Sequence, residues 1–215
     1  MDEILDHLKA GLKRFRRDVY PERALQYQRA MSEPQRPHAL IVTCADSRVH
    51  PDVLTQSAPG ELFVTRNIGN MVPTYGEMLG GVSAVLEYAV QALGVKHVVV
   101  CGHTDCGAMK ALLDPASVTT MPTVQSWLTN AGQIVESARA IQAARVQQGL
   151  HPGDLLGLTT QQNVLLQMRH IKTHPSVAHA IASGDLQISG WVYDIAQGQV
   201  RICTDGSDEF VLVED

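Results

Sequence analysis

Five residues of this chain have the types and spacing of a metal centre with a charged pair beside it. Cys44, Asp46 and Arg48 stand in Cys44-Ala45-Asp46-Ser47-Arg48, and His103 and Cys106 stand in His103-Thr104-Asp105-Cys106-Gly107. Zinc favours tetrahedral binding by thiolates and imidazoles. His103 and Cys106 are three positions apart, where a strand should turn into a helix, so their side chains can converge on one point. A cysteine near a helix N-terminus also has its thiolate favoured by the helix dipole. Cys44 must arrive from a second strand. Three protein ligands leave a fourth position open, which marks a catalytic rather than a structural zinc. Asp46 and Arg48 are close enough in sequence for a bidentate ion pair. Arg48 would keep Asp46 ionised, and Asp46 would accept a hydrogen bond from a zinc-bound hydroxide and orient it for attack.

Two strands must position these groups. His38-Ala39-Leu40-Ile41-Val42-Thr43 is an apolar run ending at Cys44, and Val98-Val99-Val100-Cys101-Gly102 ends at His103. Both read as buried strands that deliver their motifs at their carboxyl ends. Around them, Glu61 to Arg66 reads as another strand, Leu186 to Tyr193 as a fourth, and Val200 to Thr204 as its hairpin return. The tail, Phe210 to Val213, is either a last strand or a docked extension. Helical spacing recurs over Ile4 to Phe15, Pro21 to Met31, Pro51 to Gln56, Tyr75 to Leu93 and Asp105 to Leu113. It recurs again within Pro122 to Leu150, from Asp154 to Lys172 and from Pro175 to Ala182. Gly80 and Gly81 within the Tyr75–Leu93 pattern suggest close approach of another backbone, in the core or at a subunit interface.

This alternation predicts an α/β fold with a mostly parallel central sheet. About four parallel strands plus an antiparallel edge strand are expected, flanked by helices. Chemistry in such sheets lies at the carboxyl ends of the strands, where both motifs fall. No repeat or linker divides the chain, so residues 1–215 are expected to form a single domain. Residues 1 to about 32 would be an N-terminal helical arm that either covers the core or reaches over a partner subunit.

Composition narrows the function classes. The 215 residues are 45% hydrophobic with a net charge of −5, ordinary for a globular protein and without the basic footprint of a nucleic-acid binder. No apolar run is long enough to span a membrane. The acidic start, Met1-Asp2-Glu3, is unlike a signal peptide, so a cytoplasmic location is expected. Four cysteines in a chain of this length suggest metal binding or catalysis rather than a disulfide framework. Cys101 and Cys203, inside apolar strands, are expected to pack as neutral thiols. His38, His50, His97, His170, His174 and His179 have no evident partner in the sequence.

Cys44-Ala45-Asp46-Ser47-Arg48-Val49, Pro59-Gly60-Glu61, Arg66-Asn67, Glu87-Tyr88-Ala89-Val90 and Gly102-His103-Thr104-Asp105-Cys106-Gly107 resemble the β-class carbonic anhydrases. The match is close over roughly residues 35 to 113 and looser through Gly190-Trp191-Val192-Tyr193-Asp194. The resemblance implies one Zn(2+) per chain on Cys44, His103 and Cys106, with Asp46 and Arg48 as the catalytic dyad. The implied activity is reversible hydration of CO2 to bicarbonate and a proton. The plant-like pocket residues correspond to Gln35, Phe63 and Tyr88, with Ile68 as apolar wall and Gly107 offering its backbone N–H. The family's working unit is a homodimer, often paired into a tetramer or larger, with pockets at the subunit interface. Some members close the site at lower pH by moving the carboxylate equivalent to Asp46 onto zinc as a fourth ligand. Others hold regulatory bicarbonate near a Trp and a Gly of the first strand, where this chain has Ile41 and Thr43, so that form of regulation is not expected. Two further readings stay open in the motifs: hydrolysis of carbonyl sulfide or carbon disulfide, and a zinc-stabilised protein without turnover.

Overall fold

The computed structural model describes residues 2–77 and 80–214. Six strands form one sheet in the order β2-β1-β3-β4-β5-β6: β1 (Ala39–Cys44), β2 (Leu62–Asn67), β3 (His97–His103), β4 (Gln187–Asp194), β5 (Gln199–Thr204) and β6 (Val211–Leu212). The first four run parallel, as expected. Two strands rather than one are antiparallel: β5 returns from β4, and the tail pairs with β5 as β6. β1 and β3 lie side by side in the middle, with Thr43 opposite Cys101. Their continuous apolar runs fit strands buried on both faces.

The helices are α1 (Asp2–Arg14), α2 (Tyr20–Ser32), α3 (Pro51–Thr55), α4 (Gly81–Glu87), α5 (Gly107–Leu113), α6 (Pro122–Leu128), α7 (Ile134–Gln147), α8 (Leu155–Ile171) and α9 (Pro175–Ala182). α8 is the central support. Asp154 caps it, its carboxylate accepting from the backbone N–H groups of Leu156 and Gly157. Val164, Leu165, Met168 and Ile171 on α8 pack with Leu40, Val42, Val98, Val100 and Ile188 of the sheet. Each such burial contributes about 1.5–3 kcal/mol. α8 comes this close because β4 carries Gly190 and β3 carries Gly102. A Cβ on Gly190 would sit 2.5 Å from Val164 and 2.8 Å from Cys203 Sγ, and one on Gly102 would sit 2.8 Å from Val164.

Several expectations need correction. The helix expected from Tyr75 begins at Gly81, and Tyr75–Glu77 is a turn; Met78 and Leu79 lie outside the described residues. The helix then widens into a π-helical turn over Tyr88–Ala92, closed by the Leu93 N–H donating to the Tyr88 carbonyl. Gly80 and Gly81 make no close approach to the described residues of their own chain, where a Cβ on either would meet nothing within 4 Å, so the core alternative for them falls. The two N-terminal helices are joined by a π-helical turn, Phe15–Val19, into one rod, and none of its described residues is buried. It therefore does not cover the core of its own chain. No helix among the described residues is long and apolar enough to cross a membrane.

Candidate metal centre

The carboxyl ends of β1 and β3 place Cys44, His103 and Cys106 together. Their ligand atoms all lie within 4.8 Å of one another, and all three residues are buried. Cys44 is the last residue of β1 and His103 the last of β3, while Cys106 stands immediately before α5. Asp105 makes the turn between the latter two, in the left-handed region at φ +60°. That conformation is uncommon outside Gly and best tolerated by Asn and Asp.

The imidazole is prepared for a metal. His103 Nδ1 lies 2.8 Å from the Thr104 carbonyl. A carbonyl only accepts, so Nδ1 carries the proton and Nε2 is left as a bare lone pair. That Nε2 is buried and has no hydrogen-bond partner, an arrangement that costs free energy unless something occupies the lone pair. Burial lowers the His103 pKa, but the neighbouring Cys44 sulphur and the Thr104 carbonyl outweigh it and leave the pKa raised.

The thiols are equally prepared. Cys106 donates its S–H toward Cys44, pushing the Cys44 pKa down to about 4 against the opposing effect of burial. That same bond and burial push Cys106 up. Backbone N–H groups of Asp46 and Gly69 point at Cys44, and those of Met109 and Ala108 at Cys106. Such donors favour anionic sulphur. Two sulphurs and one imidazole nitrogen, buried and converging, fit zinc and leave one tetrahedral position for a small ligand. The other two cysteines behave differently: burial pushes Cys101 up to about 12 and also raises Cys203, as expected for packed neutral thiols.

Asp46 and Arg48 meet as the spacing suggested. Arg48 donates through Nε to Asp46 Oδ1 at 2.9 Å, through Nη2 to Oδ2 at 2.8 Å, and through its backbone N–H to Oδ1 at 3.0 Å. The guanidinium holds the Asp46 carboxyl well below the usual carboxylate range, against a smaller opposing effect of burial. Asp46 Oδ2 sits 3.9 Å from His103 Nε2, at the mouth of the cluster.

Residues given no role in the sequence reading hold this turn in place. Arg66 on β2 donates to the Cys44 carbonyl at 3.0 Å and to the Asp46 carbonyl at 2.6 Å. The Asn67 side chain closes the next loop, accepting from the Met71 N–H and donating to the Met71 carbonyl. From α8, Asn163 donates to the Gly69 carbonyl, and Gln167 accepts from the Val72 N–H while donating to Asn163. Asp105 accepts from Arg48 Nη1 at 2.9 Å and from Lys110, and its place inside the His-Cys motif was the clue. Three of the histidines expected to lack partners have them: His97 bonds Ser189, His170 lies against the Val72 carbonyl, and His174 bonds Ser83.

The remaining expected residues divide into two groups. Gly107 opens α5 beside Cys106, with open space where a Cβ would stand. Ile68 is exposed next to Gly69, and its carbonyl accepts from Trp127 Nε1 at 2.8 Å. Gln35, Phe63 and Tyr88 lie elsewhere. Gln35 is exposed in the loop before β1, and Phe63 pairs with Leu40 near the start of that strand. Phe63 is four residues before Asn67, so about 13 Å along the strand from the Cys44 end. The Tyr88 ring, half exposed, sits 6.1 Å from the Phe63 ring. Within one chain these three are at the opposite end of the sheet from the metal ligands.

Comparison with known proteins agrees with this geometry. The carbonic anhydrase family model matches residues 39–200. A carbonic anhydrase of Pseudomonas aeruginosa is 45% identical over 215 residues, covering 100% of this chain and 93% of its own length. The solved structure of the β-carbonic anhydrase CcaA superimposes with a TM-score of 0.86 at 34% identity, over 99% of this chain and 93% of its own. One of two tetrameric β-carbonic anhydrases from Sordaria macrospora superimposes with a TM-score of 0.76 at 25% identity, over 95% and 98%. With two strand ends that converge on a Cys-His-Cys cluster and this similarity along its whole length, the chain belongs to the β-class carbonic anhydrase family of enzymes.

Proposed function

We propose that the chain catalyses the reversible hydration of carbon dioxide to bicarbonate and a proton, using one zinc ion held by Cys44, His103 and Cys106. The observation that carries this is the buried three-donor cluster with the bare Nε2 of His103, facing a carboxylate that Arg48 keeps ionised. Zinc, when bound, supplies the Lewis acidity that brings the pKa of a water down toward neutrality. Two anionic sulphurs temper that acidity, so activity rises toward alkaline pH.

Asp46 is ionised and can only accept. It therefore takes a hydrogen bond from the attacking group, and that bond turns the nucleophile's free lone pair toward the substrate carbon. Arg48 fixes the angle of that carboxylate. Ligation of the metal by Asp46 itself, the closed arrangement, requires breaking its three hydrogen bonds to Arg48. Ile68 gives carbon dioxide an apolar wall, and the Gly107 N–H at the start of α5 can donate to an oxygen as charge develops there.

Gln35, Phe63 and Tyr88 act on the neighbouring copy's site, so the working unit is a homodimer, paired further into a tetramer or larger. This is supported by their position away from their own chain's metal end and by the exposed apolar stripe of the arm, with Ile4 72% and Leu12 69% exposed. A relative described as tetrameric superimposes on nearly the whole chain. A cytoplasmic location fits four unpaired thiols, two of which the site needs reduced.

Stopped-flow hydration of carbon dioxide between about pH 6.5 and 9 tests the activity, with metal content measured beside it. One zinc per chain and a rate that climbs with pH are expected. No hydration by fully loaded protein would overturn the assignment, and turnover of carbonyl sulfide or carbon disulfide on the same sample would redirect it.

A further inference from the structure

We infer that Asp105 is a positioning residue for this site: it clamps the outer edge of Arg48 and so holds Asp46 facing the metal position. The inference rests on the function proposed above and extends it to a residue outside the ligand set and the dyad.

Arg48 is held from two sides. Its Nε and Nη2 are committed to Asp46, while Nη1 donates to Asp105 Oδ2 at 2.9 Å and Nη2 reaches the Asp105 carbonyl at 3.4 Å. The second carboxylate oxygen, Asp105 Oδ1, is taken by Lys110 from α5. The four charges thus form a closed line, Asp46, Arg48, Asp105 and Lys110, that crosses from the β1 turn to the β3 turn. Without the Asp105 carboxylate the guanidinium keeps, among the described residues, Asp46 and the long 3.4 Å contact to the backbone carbonyl of position 105. Its side chain is 45% exposed and could then rotate into water, releasing Asp46.

The backbone at Asp105 supports a side-chain role. At φ +60° glycine is the unstrained residue, so the turn between His103 and Cys106 does not require a carboxylate. Asn tolerates this conformation as Asp does, so the backbone alone does not select the charge that Arg48 and Lys110 meet. The two bridges that Asp105 makes, to Arg48 and to Lys110, are exposed, and exposed ion pairs contribute little to stability. The effect therefore falls on orientation and rate rather than on folding.

The experiment compares wild type, Asp105→Gly, Asp105→Asn and Lys110→Ala. Glycine suits φ +60°, so Asp105→Gly should fold and load zinc normally. Two readouts are taken. The first is the Arg48 Nε–Hε resonance in the metal-free and loaded protein, assigned by its loss in Arg48→Lys. It should be sharp and slow to exchange in wild type, weaken in Lys110→Ala, and be lost in Asp105→Gly. The second is carbon dioxide hydration. kcat should fall roughly 5- to 20-fold in Asp105→Gly, about 2- to 3-fold in Lys110→Ala, and between these in Asp105→Asn, with zinc content unchanged. An unchanged Arg48 resonance and an unchanged kcat in Asp105→Gly would overturn the inference and leave the proposed function standing. Wild type that hydrates nothing, yet shows a protected Arg48 resonance lost in Asp105→Gly, would keep the clamp and overturn the function.

Discussion

The metal end of the sheet and the N-terminal arm are opposite kinds of structure. At the metal end, three ligands from two strands and one turn are buried and hydrogen-bonded by their own chain. In the arm, residues Asp2–Ser32 form a helical rod with no buried residue. Leu8 and Phe15 of its apolar stripe are 58% and 40% exposed. Phe15, Tyr20 and Tyr27 cluster with one another, their ring centroids 5.5–6.1 Å apart. The ligand cluster of the first region forms within one chain. The second presents an apolar surface of a kind that a monomer seldom leaves in water. The metal-ligand cluster can thus be understood from one chain, whereas the arm leaves its apolar stripe exposed and Gln35, Phe63 and Tyr88 lie away from that cluster.

The most drastic way to break the self-contained end is to remove a ligand. His103→Ala or Cys106→Ala should lose zinc and at least about 10³-fold in kcat/KM, because metal and Lewis acidity leave together. Metal analysis of the purified variant checks this, and full occupancy with wild-type rate would refute the ligand assignment.

A milder break spares the metal. Asp46→Asn should keep one zinc and lose about 10²-fold in kcat, the scale of a lost charge that orients a reacting group. Its pH behaviour follows from the depressed Asp46 pKa. A carboxylate with a folded pKa below its unfolded value of about 3.9 stabilises the fold above that pH and loses the contribution as pH falls through the folded pKa. The stability difference between wild type and Asp46→Asn should therefore be constant from about pH 9 to 5 and vanish only in stronger acid. Denaturant titrations across that range measure it.

The other side of the comparison is tested by charging the arm. Leu8→Asp with Leu12→Asp should reduce the assembly to monomers in sedimentation while zinc stays at one per chain. If pockets are completed across the interface, activity should fall about 10-fold with it. Monomers with full activity would place the whole site in one chain. The smallest effect is expected from Tyr88→Phe, about 2- to 5-fold in kcat/KM with assembly intact.

Legibility in the sequence followed the same division. The apolar runs before Cys44 and His103 identified β1 and β3, because a strand buried on both faces leaves a continuous apolar signature. The ligands and the Asp46–Arg48 pair were legible because metal chemistry restricts residue type and spacing. The tail was legible only as one of two alternatives, a last strand or a docked extension, because Val211–Leu212 is too short to show alternation. The late start of α4 was hidden because the apolar spacing continues back through Tyr75, while the turn at Gly76 (φ +95°) breaks the backbone. The roles of Arg66, though it stands in the Arg66-Asn67 motif, and of Asn163 and Gln167 were hidden for another reason. Each acts on a backbone carbonyl or N–H far away in sequence, and one sequence carries no spacing signal for such contacts.

The most direct test is stopped-flow carbon dioxide hydration at alkaline pH by zinc-loaded wild type beside Asp46→Ala, with zinc measured in both. Fast hydration that collapses in the variant while its zinc is retained is the predicted result. Equal rates in the two proteins, each with one zinc per chain, would contradict the claim that a carboxylate locked by Arg48 directs the chemistry.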